Sequence, residues 1–374
     1  MSYPKSQNVA VVDKIGGDIQ FRSQAVKPQS QLAPGECLVK MVCSGACHTD
    51  LHAAVGDWPV PPKMPLVGGH EGVGHIVAIG QNTANSPVKV GDRVGIKWLA
   101  NSYVSPESET LRLLTPHNRC LNCEDCRKGR EQNCANAALS GYNVDGTFQE
   151  YVLSWVHHVT PIPEGLSSND AAPILCAGVT TYRAIKYSQT ETGDFIVLPG
   201  AGGGLGHLAV QYARVRGLRV IAIDTGKEKR DLCIKLGAEK FIDFKTSTDI
   251  VKDVIAATDG RGAHAAVVTS SASSGYTQAL NYLRPGGALM VVGLPPDATI
   301  DASVFFTVFH SHKILGSYVG NRQDAVEALD IAARGHVKVH SKVVPLSNLP
   351  SVYEGFKAGT IAGRIVLDIA GGKA

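Results

Sequence analysis

Two short stretches carry the residue types of an open metal site: Cys47-His48-Thr49-Asp50-Leu51-His52 and, farther along, Gly68-Gly69-His70-Glu71-Gly72. Open catalytic zinc sites use three protein ligands and leave a fourth position for water or substrate. Cys47 and His70 supply two of the three, so a third must come from elsewhere. Either residue alone is more often a buried cysteine or a core histidine. Their company, with Thr49, Asp50, His52 and Glu71 close by, is what points to metal. The candidate third ligand is Cys176, in Leu175-Cys176-Ala177-Gly178. The run from Ala177 to Tyr187 has a helical pattern, which puts Cys176 at or near a helix start, where dipole and metal both favour a thiolate. Taken alone, a cysteine between Leu and Ala is more often simply buried.

Cys120, Cys123, Cys126 and Cys134 follow the pattern Cys-x-x-Cys-x-x-Cys-x7-Cys. Four thiolates so close in sequence can close a tetrahedral shell around zinc, and a closed shell is structural. Iron–sulfur ligation is the rival, since clustered cysteines also hold clusters. A nucleic-acid zinc module would carry a basic, aromatic surface around the cysteines, whereas Glu124, Asp125, Arg127 and Lys128 are mixed in sign.

A third signal is a short apolar run, Asp194–Pro199, then Gly200-Ala201-Gly202-Gly203-Gly204-Leu205-Gly206, then His207–Ala213 at helical period. Strand, glycine turn and helix in that order form a dinucleotide-binding context: the glycines admit a pyrophosphate to backbone N–H groups and to a helix N-terminus. Gly200, Gly203 and Gly206 recur every third position, one residue off the usual Gly-x-Gly-x-x-Gly. The next strand ends at Asp224, 18 residues past Gly206. A carboxylate there accepts hydrogen bonds from ribose hydroxyls and repels a 2′-phosphate, which favours NAD over NADP.

The elements that must position these groups follow from pattern and composition. A chain of 374 residues is long enough for about two domains. With 44% hydrophobic and 18% charged residues it is globular, and a formal charge of +3 is too small to argue for nucleic acid or a membrane surface. No apolar run is long enough to span a bilayer. The first residues carry neither a signal core nor an Arg-rich amphipathic pattern, so a cytosolic protein is the default, and nine cysteines then point to metal or thiol chemistry rather than disulfides. From Asn8 to about Ala100, short apolar runs such as Cys37–Val42 and Gly74–Ile79 between glycine and proline turns suggest an antiparallel, barrel-like domain. Asn101–Arg119 is polar, sustains no period and reads as a surface loop. After Asp194, strand and helix signals alternate through Phe241–Asp243, Ala265–Val268, Ala288–Gly293 and Ile314–Ser317, a doubly wound parallel sheet. The tail holds a helix over Asp324–Arg334, a strand near Ser341–Val344 and Gly363–Asp368, and is expected to return to the first domain. Beside its glycine, Arg364 is equally a surface charge or a phosphate contact.

These segments, with Gly56-Asp57-Trp58-Pro59, Leu139-Ser140-Gly141-Tyr142 and Gly316–Arg322, resemble the zinc-dependent medium-chain alcohol dehydrogenases, the tetrameric yeast-type branch in particular. The likeness spans nearly the whole chain except Asn101–Arg119, which looks like an insertion. It implies an α/β protein: a GroES-like β-barrel catalytic domain over 1–175 with a structural zinc lobe at about 119–136, a Rossmann NAD-binding domain over 176–319, and a return over 320–374 that completes the catalytic domain. It further implies two Zn²⁺ per subunit. One is catalytic on Cys47, His70 and Cys176, a ligand set for which alcohol dehydrogenase is itself the standard example; the other is structural on Cys120, Cys123, Cys126 and Cys134. Asp50 would orient His70, and Glu71 would be an alternative ligand during water exchange. Thr49 and His52 resemble the family's proton relay, with the cofactor ribose between them. His48 and Arg364 would contact the pyrophosphate of NAD, Gly200, Gly203, Gly204, Leu205 and Gly206 would form its cradle, and Asp224 and Lys229 would hold its ribose. Trp58, Trp98 and Leu294 would wall a pocket for a short-chain alcohol or aldehyde. The resemblance implies a cytoplasmic homotetramer with no nucleic-acid or membrane partner. A polyol dehydrogenase would need a wider pocket than two tryptophans allow, and a catalytically silent relative would be expected to have lost a ligand.

Overall fold

The computed structural model describes residues 3–102, 121–270 and 272–371. The expected surface loop falls outside them from residue 103 onward, as does Cys120. Two sheets organise the rest. In the first, strands run in the order Thr160–Pro161, Arg93–Ile96, Glu71–Ile79, Glu36–Ala46, Arg364–Asp368 and Ser341–Pro345, with Tyr151–Trp155 also paired to Glu36–Ala46. All of its pairings are antiparallel except the last, between Ser341–Pro345 and Arg364–Asp368. A small sheet of Ile19–Ala25, Ser6–Val12 and Leu66–Val67 lies beside it. The C-terminal strand Arg364–Asp368 pairs with Ala46–Cys43, so a tail far away in sequence runs alongside the strand that leads into Cys47.

The second sheet is entirely parallel, in the order Lys240–Asp243, Arg219–Asp224, Phe195–Pro199, Ala263–Val268, Leu283–Val291 and Lys313–Gly316. Helices such as Gly206–Val215 and Ser274–Tyr282 pack on it, which is why Phe195–Pro199 is buried at every position and reads as a continuous apolar run rather than an alternation. The strand order reverses between Phe195–Pro199 and Ala263–Val268, the place where doubly wound sheets bind ligands. The glycine turn sits there.

One expectation needs correcting. Cys176 is not at a helix start. It lies in a π-helical turn, Ile174–Gly178, enclosed between the helices Ser168–Pro173 and Val179–Lys186. Pro173 has no N–H to continue the α ladder, and the Thr181 hydroxyl donates to the carbonyls of Ala177 and Gly178 just past the wide turn. A helix dipole therefore does not set the state of this thiol. Single π turns inside α-helices are frequent at functional sites.

Candidate active site and metal centres

His48–Val55 is a helix that the strand-rich reading of this region did not foresee. Asp50 organises its first turn. One carboxylate oxygen accepts the backbone N–H of Cys47 at 2.9 Å. The other accepts Gly69 N–H at 3.1 Å and His70 Nδ1–H at 2.7 Å. A single buried carboxylate thus fixes the cysteine backbone, the glycine turn and the imidazole. His70 is left with Nε2 facing Cys176 Sγ at 3.2 Å.

The donor atoms of Cys47, His70, Glu71 and Cys176 all lie within 4.8 Å of one another, and every one of these residues is buried. Two sulfurs and one imidazole nitrogen at that span suit tetrahedral zinc, with bonds of about 2.0–2.3 Å. The electrostatics agree. The hydrogen bond to Cys176 outweighs burial and holds the Cys47 thiol well below its usual value, helped by Arg364 and His70. The same hydrogen bond and burial push Cys176 well above, so the two sulfurs share a proton that a divalent cation would replace. Burial disfavours protonated His70, but Asp50 and Cys47 more than offset it and raise the ring well above its ordinary value. Oε2 of Glu71 is buried with no hydrogen-bond partner among the described residues, whereas its Oε1 is held by the guanidinium of Arg364.

Arg364 joins this cluster to the glycine turn. A Cβ built on Gly204 would come within 3.0 Å of Arg364 Cδ and 3.2 Å of a guanidinium nitrogen. The turn itself depends on Gly200, which has φ +82°, and on Gly206, where a Cβ would sit 2.0 Å from the Gly200 carbonyl oxygen. Leu205 is half-buried against the core of the parallel sheet. Asp224 accepts Gly202 N–H at 2.9 Å and Lys229 Nζ at 3.0 Å. Beside it a cavity of about 210 Å³ opens between Thr225–Lys229 and Gly359–Ala362. His48 packs against Phe356 with the rings tilted by 34° and their centroids 4.4 Å apart.

His207, directly after the turn, donates from Nδ1 to the Gly203 carbonyl at 3.0 Å and accepts His340 N–H at Nε2. Burial lowers its pKa to about 4. Between the unfolded value near 6.5 and that folded value only the unfolded chain takes up this proton, so stability falls as pH drops through the window, by about 2 kcal/mol at pH 5. Urea melts at pH 7.5 and 5.0 should show a smaller acid loss for His207→Gln than for wild type; parallel losses would exclude this origin.

Beside this donor set, Trp98 meets His70 edge-on (centroids 5.1 Å) and Trp58 at 83° (6.5 Å). Trp58 Nε1 donates to the Leu294 carbonyl at 3.3 Å, although the Leu294 side chain itself is 56% exposed. Two residues given no role from sequence join this wall. Tyr318 accepts Trp98 Nε1–H, and Tyr142 packs on both tryptophans. Both lie in segments that carry the family resemblance, which was the available signal. Thr49 and His52 lie on the helix His48–Val55 that Cys47 caps; the His52 ring packs on Trp58 and is 2.9 Å from the Asp57 carboxylate.

The cysteine lobe forms a second group: the sulfurs of Cys123, Cys126 and Cys134 lie within 4.8 Å of one another. Backbone N–H groups of Cys126 and Asn136 point at sulfur. The lobe is clamped by Glu131, which accepts from Arg322 N and Nε, and by Gly129, whose carbonyl accepts Asn321 Nδ2 at 2.7 Å.

Comparison with known proteins gives a consistent picture. Residues 33–164 match the alcohol dehydrogenase GroES-like domain, and residues 204–334 match the zinc-binding dehydrogenase family. The chain is 47% identical over 371 residues to alcohol dehydrogenase 1 of Emericella nidulans, covering 99% of each. It is 46% identical over 370 residues to alcohol dehydrogenase of Schizosaccharomyces pombe, covering 99% of this chain and 100% of the relative. Among solved structures it resembles the alcohol dehydrogenase of Aeropyrum pernix (TM-score 0.83, 28% identity, 96% of this chain and 99% of that one). It also resembles the acetophenone reductase of Geotrichum candidum in complex with NAD (TM-score 0.81, 25% identity, 98% of each).

Proposed function

This chain belongs to the zinc-dependent medium-chain alcohol dehydrogenases, and on that premise we propose that it oxidises short-chain primary alcohols such as ethanol, and some secondary ones, to aldehydes or ketones with NAD⁺, and runs the reverse reduction. The observation that carries the reading is the buried Cys47–His70–Cys176 donor set, with Asp50 on the far side of the imidazole and Arg364 reaching from it to the glycine turn. Cys47, His70 and Cys176 would hold a catalytic zinc, and the cysteine lobe a structural one. When bound, zinc supplies a Lewis acid that lowers the pKa of an alcohol hydroxyl, and NAD⁺ supplies the hydride acceptor.

The protein's own groups do the rest. Trp58, Trp98, Tyr142 and Tyr318 narrow the approach to His70, favour a small alcohol and exclude water. Thr49 takes up the alcohol proton, and the half-buried His52, one turn further along the same helix, passes it to solvent. Arg364 and His48 would hold the pyrophosphate of NAD⁺, with the Gly200–Gly206 turn as its cradle. Asp224, with Lys229 beside it, accepts the ribose hydroxyls and repels a 2′-phosphate. Residues 1–175 and 320–374 form the catalytic unit around a coenzyme unit of 176–319.

A cytosolic homotetramer fits this reading. No helix among the described residues is long and apolar enough to cross a membrane. The helix Val304–Phe309 leaves Phe305 67% and Phe309 69% exposed near the sheet-edge strand Lys313–Gly316, an apolar patch and an open edge that a second copy would cover. The test is zinc per subunit, ethanol-dependent reduction of NAD⁺ against NADP⁺, and mass by light scattering. Near two zincs, strong NAD⁺ preference and a fourfold subunit mass are expected. Two zincs with no turnover of any short alcohol would move the assignment to another substrate class.

A further inference from the structure

His52 is held by a carboxylate that no part of the reading above uses. The helix His48–Val55 ends at Gly56, whose backbone is left-handed (φ +70°) and whose N–H donates to the His52 carbonyl at 2.8 Å. A Cβ at Gly56 would come within 2.5 Å of Ile15 Cγ2, so only glycine lets the chain reverse here without displacing its neighbour. The reversal brings Asp57 back under the helix. Both of its oxygens lie 2.9 Å from His52 Nδ1. The next residue, Trp58, stacks on the His52 ring with centroids 5.2 Å apart and planes at 23°, and is itself tied to the Leu294 carbonyl. The imidazole is thus fixed in position by the carboxylate and in plane by the indole. Its Nε2 has no hydrogen-bond partner among the described residues.

We propose that Asp57 is the positioning residue of the proton exit: by accepting Nδ1–H it fixes the His52 tautomer and presents Nε2 as the proton acceptor. The inference rests on His52 being that acceptor. Alcohol oxidation releases one hydride to the nicotinamide and one proton. The proton leaves the alcohol oxygen along the relay to which Thr49 and His52 belong and is taken up at Nε2, the imidazolium so formed is paired with the Asp57 carboxylate, and the proton leaves from Nε2 to solvent. A carboxylate behind an imidazole does the same work wherever a histidine must take up and return a proton in one orientation. The other titratable groups facing His52 are His48, one turn earlier on the helix with ring centroids 6.5 Å away, and Tyr142 across Trp58.

The experiment compares wild type, Asp57→Asn, Asp57→Glu and His52→Gln as full-length, zinc-loaded protein. It reads kcat/KM for ethanol against pH, the NAD⁺ dissociation constant, and the rate of carbethoxylation of His52 by diethyl pyrocarbonate against pH, followed by mass spectrometry without substrate or coenzyme. Asp57→Asn is expected to lower kcat/KM at pH 7 about tenfold. It should also slow His52 carbethoxylation about tenfold, because an amide at position 57 can donate to Nδ1 and leave Nε2 as the protonated nitrogen, with NAD⁺ affinity within about twofold of wild type. Asp57→Glu should recover most of both. His52→Gln should lose activity at least as far. If His52→Gln is damaging while Asp57→Asn leaves both kcat/KM and the carbethoxylation rate in place, the role of Asp57 is refuted and the relay stands. If His52→Gln has no effect, the relay fails and takes the Asp57 role with it.

Discussion

Replacing Cys47 by serine should take zinc from two per subunit to one and lower ethanol oxidation at least about a thousandfold. The sulfur of Cys47 is the group whose thiolate the apo site already favours, because Cys176 donates to it and both Arg364 and His70 add positive charge. A serine hydroxyl would not ionise there near neutral pH, and it is a harder, shorter ligand that the Cys176 and His70 donors cannot meet at the same centre. What remains is one imidazole and one thiol that burial keeps protonated, too little charge to hold a divalent ion against water. Lewis-acid assistance amounts to several kcal/mol of barrier, and about 4 kcal/mol is a thousandfold in rate. The cysteine lobe is a separate group of sulfurs, built on the segment around Glu124–Arg127. Its metal should therefore survive the substitution. Metal analysis with single-turnover kinetics checks both halves. Retention of two zincs, or activity above about a tenth of wild type, would mean that the catalytic ligands are misassigned.

Much of this site was legible because its chemistry is local in sequence. Cys47 to His52 sit on one helix and its cap, and His70 with Glu71 opens one strand. Asp224 could be read for the same reason: it closes the strand that follows the glycine turn and its helix, and its carboxylate accepts Gly202 N–H from that turn. The parallel sheet followed from apolar runs buried on both faces. What sequence hid was tertiary. The helix His48–Val55 has only Leu51, Ala53, Ala54 and Val55 to signal its period, so a strand-rich reading of the region missed it. The π turn at Cys176 comes from a proline whose effect depends on the helix on both sides. Asp57 and Tyr318 acquire partners only when residues distant along the chain, or around a tight reversal, meet them. Arg364 could be read from its neighbours equally as a surface charge or as a phosphate contact. Pairing of its strand with Glu36–Ala46 carries it inward to Glu71, where it is 4% exposed.

That burial makes Arg364→Met the substitution with the largest combined effect on stability and coenzyme binding. Glu71 is fully buried and its own desolvation pushes its pKa to about 7, with Arg364 pulling in the opposite direction. Arg364 stays charged throughout, since Glu71 and the two active-site thiols more than offset its burial. Removing one partner of such a pair leaves an uncompensated buried charge, at a cost of about 3 kcal/mol or more. The variant can escape part of that cost by protonating Glu71, and this sets the sign of its pH dependence. With a folded pKa raised above the unfolded value near 4.5, the folded state holds the extra proton at low pH and loses the benefit as pH rises through the folded pKa. Arg364→Met should therefore be less destabilised at pH 6 than at pH 8.5. Adding Glu71→Gln removes the titrating group, so the double variant should recover stability and lose that slope. Coenzyme binding should respond differently. The guanidinium lies against Gly204, and losing a charge-assisted contact to a phosphate costs about 1.5–3 kcal/mol, roughly ten- to a hundredfold in NAD⁺ affinity. Glu71→Gln cannot restore it. Urea melts at the two pH values and NAD⁺ titrations on the single and double variants separate the two roles. If Glu71→Gln restored coenzyme affinity, Arg364 would act on the coenzyme only through the carboxylate. If the single variant melted alike at both pH values, Glu71 would not be the group that bears the lost charge.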